Sequence, residues 1–294
     1  MIKRRTFLKQ TGLVFAASAI LPSAMYSYSG ADHPLGLQLY SLRKTIGDDV
    51  IGTINKVAGV GFKEVETYGY SPENGFWGMS VSEFKALLSK NGLTSPSGHY
   101  GADKYLSKDG TMSDFQDVID AAKELGQEYV IIPYIGDTLR TSIDDYNRIA
   151  DKLNEAGRKC KEAGLKLAYH NHAFEFEDFS GKNGYEVLLE NTDKDLVFFE
   201  MDLYWVVRAE KDPVSLFQKY PGRFPLWHVK DMDKTNMEIN TEIGSGSIDF
   251  KEIFEKAKKA GAKHFILEQE NFSMDPYKSL EQSYSYMKNN LIES

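Results

Sequence analysis

Short apolar runs alternate along the chain with stretches of helical periodicity, and the junctions between them share one pattern. Ala58-Gly59-Val60-Gly61-Phe62, Lys90-Asn91-Gly92-Leu93, Glu124-Leu125-Gly126-Gln127, Glu162-Ala163-Gly164-Leu165 and Lys259-Ala260-Gly261-Ala262 each set a glycine just past a helical pattern, before an apolar run begins. Glycine reaches the left-handed backbone that ends a helix without a Cβ clash, so each junction reads as a helix end followed by a strand. The apolar runs predict eight strands, at 35–41, 63–67, 94–99, 129–133, 166–170, 197–201, 225–229 and 264–268. Amphipathic stretches such as 80–90, 114–125, 142–163, 247–260 and 275–290 predict helices, several opened by Ser, Thr or Asp at the N-cap. Strands alternating with helices pair in parallel through right-handed crossovers. Eight such units within 35–294 predict an α/β fold, a single-domain (β/α)8 barrel. An open doubly wound sheet is the rival, but no G-x-G-x-x-G follows the first strand, which reads Leu-Gly-Leu-Gln-Leu-Tyr-Ser.

The first residues do not share this rhythm. Lys3-Arg4-Arg5-Thr6-Phe7-Leu8-Lys9 precedes an apolar run from Leu13 to Leu21 that Ala and Ser dilute and Pro22 ends. The run is too short to span a bilayer, and Pro22-Ser23-Ala24 offers the small residues that a signal peptidase accepts. Segment 1–24 is therefore expected to be a Tat-like signal peptide and 25–34 a linker, with the mature chain periplasmic or secreted and without a stable membrane anchor. An uncleaved amphipathic anchor is the other reading. Tat substrates cross folded, which suits a protein that acquires a metal or cofactor before export.

With 294 residues, 41% hydrophobic and 27% charged, the chain holds one large globular domain. The leader takes four of the 35 basic residues and none of the 43 acidic ones, which leaves a net charge of −12 and disfavours nucleic acid or an anionic membrane as a partner. Cys160 is the only cysteine, so no intramolecular disulfide supports the fold.

Strand after strand ends in residues able to bind metal or move protons. The first ends at Gln38 and Tyr40, the second at Glu66, the third at His99, and the fifth at His170 and His172 with Glu175 following. The sixth ends at Glu200 and Asp202, the seventh at His228, Lys230 and Asp231, the eighth at Glu268 and Glu270. In a barrel these converge on one mouth, where chemistry occurs. Asp202, His228 and Glu268 form a carboxylate and imidazole set with open positions, suited to one divalent ion such as Mn, Zn, Mg, Fe or Co. Gly244-Ser245-Gly246-Ser247 reads as a flexible loop with Ser247 as N-cap of the following helix, in preference to a phosphate loop.

The strings Leu37-Gln38-Leu39-Tyr40-Ser41-Leu42-Arg43, Tyr169-His170-Asn171-His172-Ala173-Phe174-Glu175-Phe176, Trp227-His228-Val229-Lys230-Asp231 and Leu267-Glu268-Gln269-Glu270-Asn271 resemble the sugar phosphate isomerase/epimerase family, the xylose-isomerase-like TIM barrel group. That family includes ketose 3-epimerases, inosose dehydratase and 3-dehydroshikimate dehydratase. The resemblance implies one divalent ion held by Glu, Asp, His and Glu at the ends of strands five to eight, and three of these carry over as Asp202, His228 and Glu268. The fourth departs: His170 stands at the Glu position, and Glu175 is the other candidate. It also implies a small carbohydrate substrate.

On this reading the protein is a metal-dependent isomerase/epimerase or carbon–oxygen lyase that forms an enediolate from a keto-sugar or keto-glycoside. Glu268 is expected as ligand and base, His172 as acid/base, and Lys230 as substrate anchor or charge stabiliser. Tyr40, Tyr134 and Trp205 either stack on a sugar face or pack, and Glu66 and His99 are candidate hydroxyl contacts. Export argues against a phosphorylated substrate. Two rival classes are a non-catalytic carbohydrate-binding barrel that has lost its full metal set at His170, and an endonuclease-IV-type nuclease, which the acidic charge opposes. The sequence leaves the oligomeric state open, a homo-oligomer being one alternative.

Overall fold

A computed structural model describes residues 33–293. The expected signal peptide at 1–24 and most of the linker at 25–34 lie outside the described residues. Eight parallel strands close into a barrel: β1 (Leu35–Gln38), β2 (Glu64–Thr67), β3 (Thr94–His99), β4 (Tyr129–Ile132), β5 (Lys166–His170), β6 (Val197–Asp202), β7 (Leu226–Val229) and β8 (His264–Leu267). Each pairs with its sequence neighbours, and closure sets Leu35 against Phe265 and Gly36 against Glu64. Most strand residues are buried on both faces, the condition under which parallel sheets form.

The outer helices are α1 (Val50–Val60), α2 (Val81–Lys90), α3 (Gln116–Leu125), α4 (Ile143–Glu162), α5 (Gly184–Asn191), α6 (Pro213–Lys219), α7 (Phe250–Phe254, continued by Ala257–Ala260) and α8 (Pro276–Met287). Polar N-caps fix their starts. Ser80 and Glu83 form a reciprocal capping box on α2, and Ser142 accepts from Asp145 N on α4. Gly126 ends α3 at φ +90°, a backbone angle that places this glycine where sequence requires it.

Three expectations need correction. The first strand stops at Gln38, because the Gln38 side chain accepts from Tyr40 N and turns Leu39–Leu42 into a 3-10 helix. The expected helix 247–260 is broken after Phe254 and capped by Asp249, which accepts from Glu252 N; Ser247 instead reaches Met232 O at 3.3 Å. The Gly244–Ser247 loop is not open, because the Asp231 carboxylate accepts from the N–H groups of Met232, Gly244, Gly246 and Ile248 at 2.8, 2.9, 3.0 and 3.2 Å. A Cβ on Gly246 would fall 2.2 Å from Met232 O, so only glycine permits this wrap.

Two apolar regions hold the fold. The larger lies between the strands and the helices, where Trp227, Phe217, Phe254 and Phe265 pack ring to ring. The smaller fills the lower lumen with Tyr129, Ile131, Ala168, Leu226 and Ile266, and Phe198 packs against it. Burial of each large aliphatic side chain contributes about 1.5–3 kcal/mol. Above this plug the inward positions turn polar.

Candidate active site

Side chains alternate along a strand, so the next inward residues after the apolar plug come two positions later. Phe198 gives way to Glu200 and Asp202, Ala168 to His170, Leu226 to His228 and Lys230, and Ile266 to Glu268. All of these polar residues are buried, and they contact one another across the lumen. His228 Nε2 is 2.7 Å from Glu66 Oε1 and 3.2 Å from Glu200 Oε2, while Nδ1 of the same ring is 3.3 Å from Glu268 Oε2 and 4.0 Å from Asp202 Oδ2. His170 is also two-sided, with Nδ1 2.9 Å from Glu200 Oε2 and Nε2 4.0 Å from Asp202 Oδ2. His99 Nε2 lies 2.6 Å from Glu200 Oε2 and 2.9 Å from Glu66 Oε1.

The structure thus brings the expected Asp202, His228 and Glu268 together, while His170 touches this set only at Asp202 and turns its other nitrogen to Glu200. Asp202 Oδ1 caps a short helix at Trp205 N, and its Oδ2 is buried without a hydrogen-bond partner, as a free ligand atom would be. Glu175 stands apart: Oε1 accepts from the Tyr169 hydroxyl at 2.6 Å and Oε2 from His172 N at 2.9 Å. Burial, opposed by these hydrogen bonds, pushes its pKa up to about 7.

Lys230 lies beside the same set. Its Nζ is 3.1 Å from Glu268 Oε2 and 3.9 Å from Asp202 Oδ2, and it bonds to Glu270. Burial works against the ammonium, yet Glu268, Asp202 and Glu270 hold it charged, and the same attraction outweighs burial to keep Glu268 ionised well below the usual range. Asp202, by contrast, is raised to about 6 by burial despite Lys230.

Deeper in, burial and the Glu66 charge push the Glu200 carboxyl well above its usual range. Burial disfavours charge on Glu66 and His228 too, but His99 and then His228 hold the Glu66 carboxyl well below its usual range, and Glu200 and then Glu66 push the His228 ring well above its usual value. His170 is held neutral by burial and by the charge on His228.

His172 sits over this centre, half-buried. Burial, then Lys230, lowers its pKa to about 3, so the ring is neutral, and its Nδ1 has no hydrogen-bond partner. Phe174 stacks on it with centroids 5.6 Å apart, Trp205 tilts against it at 5.3 Å and Tyr134 meets it edge-on at 5.5 Å. Tyr134 and Trp205 therefore lie on the wall around His172. Tyr40 stands elsewhere on the rim, under Arg43 at 4.4 Å and against Tyr68.

Glu66 and His99, the candidate hydroxyl contacts, both turn toward the interior. Glu66 is fully buried, with Oε1 accepting from Gln38 Nε2 at 2.7 Å and Oε2 from Ser97 Oγ at 2.5 Å, and His99 turns Nε2 inward to Glu66 and Glu200. Glu200 and Glu270 carry parts that strand-end position alone did not assign. For Glu200 the available signal was its place two residues before Asp202 on the same strand face.

The family described as "Xylose isomerase-like TIM barrel" matches residues 54–290. The chain is 22% identical over 270 residues to an inosose dehydratase from Clostridium beijerinckii, covering 80% of this chain and 87% of that one. A sugar phosphate isomerase/epimerase from Parabacteroides distasonis superposes with a TM-score of 0.78 at 27% identity, over 95% of this chain and all of the other (100%). An L-ribulose 3-epimerase shares the fold, with a TM-score of 0.71 at 15% identity over 88% and 94% of the two chains. With the closed eight-stranded barrel and a polar mouth at the strand ends, the match places the chain in the xylose isomerase-like TIM barrel family, among enzymes of isomerase, epimerase and lyase type.

Proposed function

We propose that this protein is a metal-dependent enzyme that removes the proton beside the carbonyl of a keto-sugar or keto-glycoside and completes either isomerisation or β-elimination. The observation that carries this reading is the convergence of Asp202 Oδ2, His228 Nδ1 and Glu268 Oε2 beneath a neutral, partnerless His172 nitrogen, with His170 Nε2 beside it 4.0 Å from Asp202 Oδ2. Two carboxylates and an imidazole with open positions are a fitting donor set for a divalent ion of the Mn, Zn, Mg, Fe or Co type, and the orphaned Asp202 oxygen agrees with it. An ion bound there supplies Lewis acidity toward a carbonyl oxygen.

The protein's own groups divide the remaining work. Neutral His172 takes the proton from the carbon beside the carbonyl, and the C–H electrons form the enediolate. The imidazolium then gives the proton to the former carbonyl carbon as the enediolate's hydroxyl proton passes to the other oxygen, giving the isomer, or to the oxygen leaving the next carbon as that C–O bond breaks, giving the eliminated product. Lys230, fixed as a cation, stabilises the charge that develops on oxygen, and Glu268 remains ionised as ligand and second proton acceptor. The inosose dehydratase relative supports the elimination branch, and the aromatic wall of Tyr134, Phe174 and Trp205 suits a sugar ring. The twin-arginine pattern supports action outside the cytoplasm. An Arg4→Lys, Arg5→Lys double change is expected to block export; export left intact would remove that reading.

One observation favours a metal-free, carbohydrate-binding barrel instead: Lys230 already brings a positive charge to Asp202 and Glu268. Elemental mass spectrometry on leaderless protein and the Asp202→Ala and Glu268→Gln variants separates the two. Bound metal that both variants lose, with turnover of a 3-keto-glycoside or inosose, supports the enzyme. Saccharide binding with no metal and no turnover after addition of divalent ions supports the binding barrel.

A further inference from the structure

Behind the His170 and His228 rings, on the side away from Asp202 and Glu268, four donor atoms from four strands form a closed quadrilateral. Its corners are His99 Nε2, Glu66 Oε1, His228 Nε2 and Glu200 Oε2, and its edges are 2.9, 2.7, 3.2 and 2.6 Å in that order. His170 Nδ1 approaches the Glu200 corner at 2.9 Å. Four edges of this length exceed what hydrogen bonding uses. Each ring nitrogen carries at most one proton, yet each faces two carboxylate oxygens. Edges near 3 Å are those of a coordination polyhedron with bonds of ~2.1 Å, the usual length for imidazole and carboxylate on Zn²⁺ or a similar ion. Glu200 adds a second sign. It is fully buried, and its other oxygen, Oε1, has no hydrogen-bond partner.

We propose that His99, Glu66, Glu200 and His228, with His170 as a fifth donor, form a second divalent-cation site, distinct from the Asp202 and Glu268 face. Mixed imidazole and carboxylate donors select a borderline ion, Zn²⁺, Fe²⁺, Co²⁺ or Mn²⁺, over Ca²⁺. The site needs neither the reaction nor the outer ion. The two positions are nevertheless coupled, because a neutral imidazole has one lone-pair nitrogen. When His228 gives Nε2 to the inner ion, its Nδ1 keeps a proton and points it at Glu268, 3.3 Å away. The inner ion therefore weakens the outer one through a tautomer, and the outer ion weakens the inner one equally.

The test is Zn²⁺ titration of leaderless, chelator-stripped protein by calorimetry, with bound metal counted after dialysis. Wild type is expected to show two events of unequal affinity. His99→Ala and Glu200→Gln each remove one event and tighten the other, while Asp202→Asn removes the opposite one. Two independent inner substitutions, with melting curves of the metal-free proteins, separate loss of a ligand from loss of folding. A single event in wild type that survives His99→Ala and is lost in Asp202→Asn overturns the inner site and leaves the proposed reaction standing. A single event lost in both is one ion held across both faces and also overturns it. A single event lost in His99→Ala but kept in Asp202→Asn establishes the inner site and removes the metal assignment behind the proposed function. No event in any protein overturns both.

Discussion

Leu226, His228 and Lys230 lie two residues apart on or just past one strand and face the same lumen, but they belong to different chemical environments. Leu226 joins Tyr129, Ile131, Ala168 and Ile266 in an apolar plug that gains free energy simply by leaving water. His228 and Lys230 belong to a layer of buried charges, where desolvation is unfavourable and only the nearness of opposite charges offsets it. The lower lumen therefore supports the fold, and the upper lumen is costly structure retained for what it can bind. Stability and chemistry are separated along the strand axis by a single step of the pleat.

The largest expected effect comes from putting the upper material into the lower half. Leu226→Asp places an unpaired carboxylate among Ile131, Ala168 and Ile266, a loss of more than about 4 kcal/mol that leaves little soluble folded protein, read by circular dichroism and gel filtration. The reverse case follows in the upper half. On the proposed function, His172→Ala is expected to lower kcat by roughly 10²- to 10⁴-fold while costing only about 1 kcal/mol of ring contact with Phe174, Trp205 and Tyr134; a large loss of stability would put His172 on the structural side of the divide.

Glu175 tests the boundary between the halves. Its folded pKa of about 7 is above the unfolded value, so its protonated form favours the fold fully below the unfolded pKa, and that contribution is lost as pH rises through 7. Thermal melts at pH 5.5 and 8 are expected to differ by a few degrees more in wild type than in Glu175→Gln, on the order of 1 kcal/mol; equal slopes would mean the carboxyl is ionised throughout. The smallest effect belongs to the wall. Tyr134→Ala is expected to raise KM severalfold with kcat unchanged, from loss of about 1 kcal/mol of ring contact, as steady-state kinetics on an accepted substrate would show.

The two halves also differ in how far the sequence exposes them. Barrel closure and the gathering of Asp202, His228 and Glu268 were legible because both follow from where strands end, a local property of apolar runs and glycine junctions. The inner quadrilateral was not. The Glu66 carboxylate meets His228 across 162 positions of sequence, and a strand-end glutamate looks the same whether it faces a sugar or another side chain. The Gly244–Ser247 loop misled for a related reason: its partner, Asp231, lies 13 residues before Gly244. The break in α7 after Phe254 leaves the apolar spacing of 247–260 intact, so periodicity alone ran through it.

That Asp231 carboxylate has a bearing on which ligands the barrel can admit. Backbone N–H groups in the loops after the seventh and eighth strands of such barrels are common seats for phosphate. In this protein four of them are satisfied by a built-in anion, wrapped closely enough that Gly246 has no room for a side chain. A phosphorylated sugar arriving there would find its seat taken by a like charge. The loop is thus closed to a phosphate by pre-emption, and the protein should be indifferent to inorganic phosphate at concentrations that would compete in a barrel whose loop is vacant.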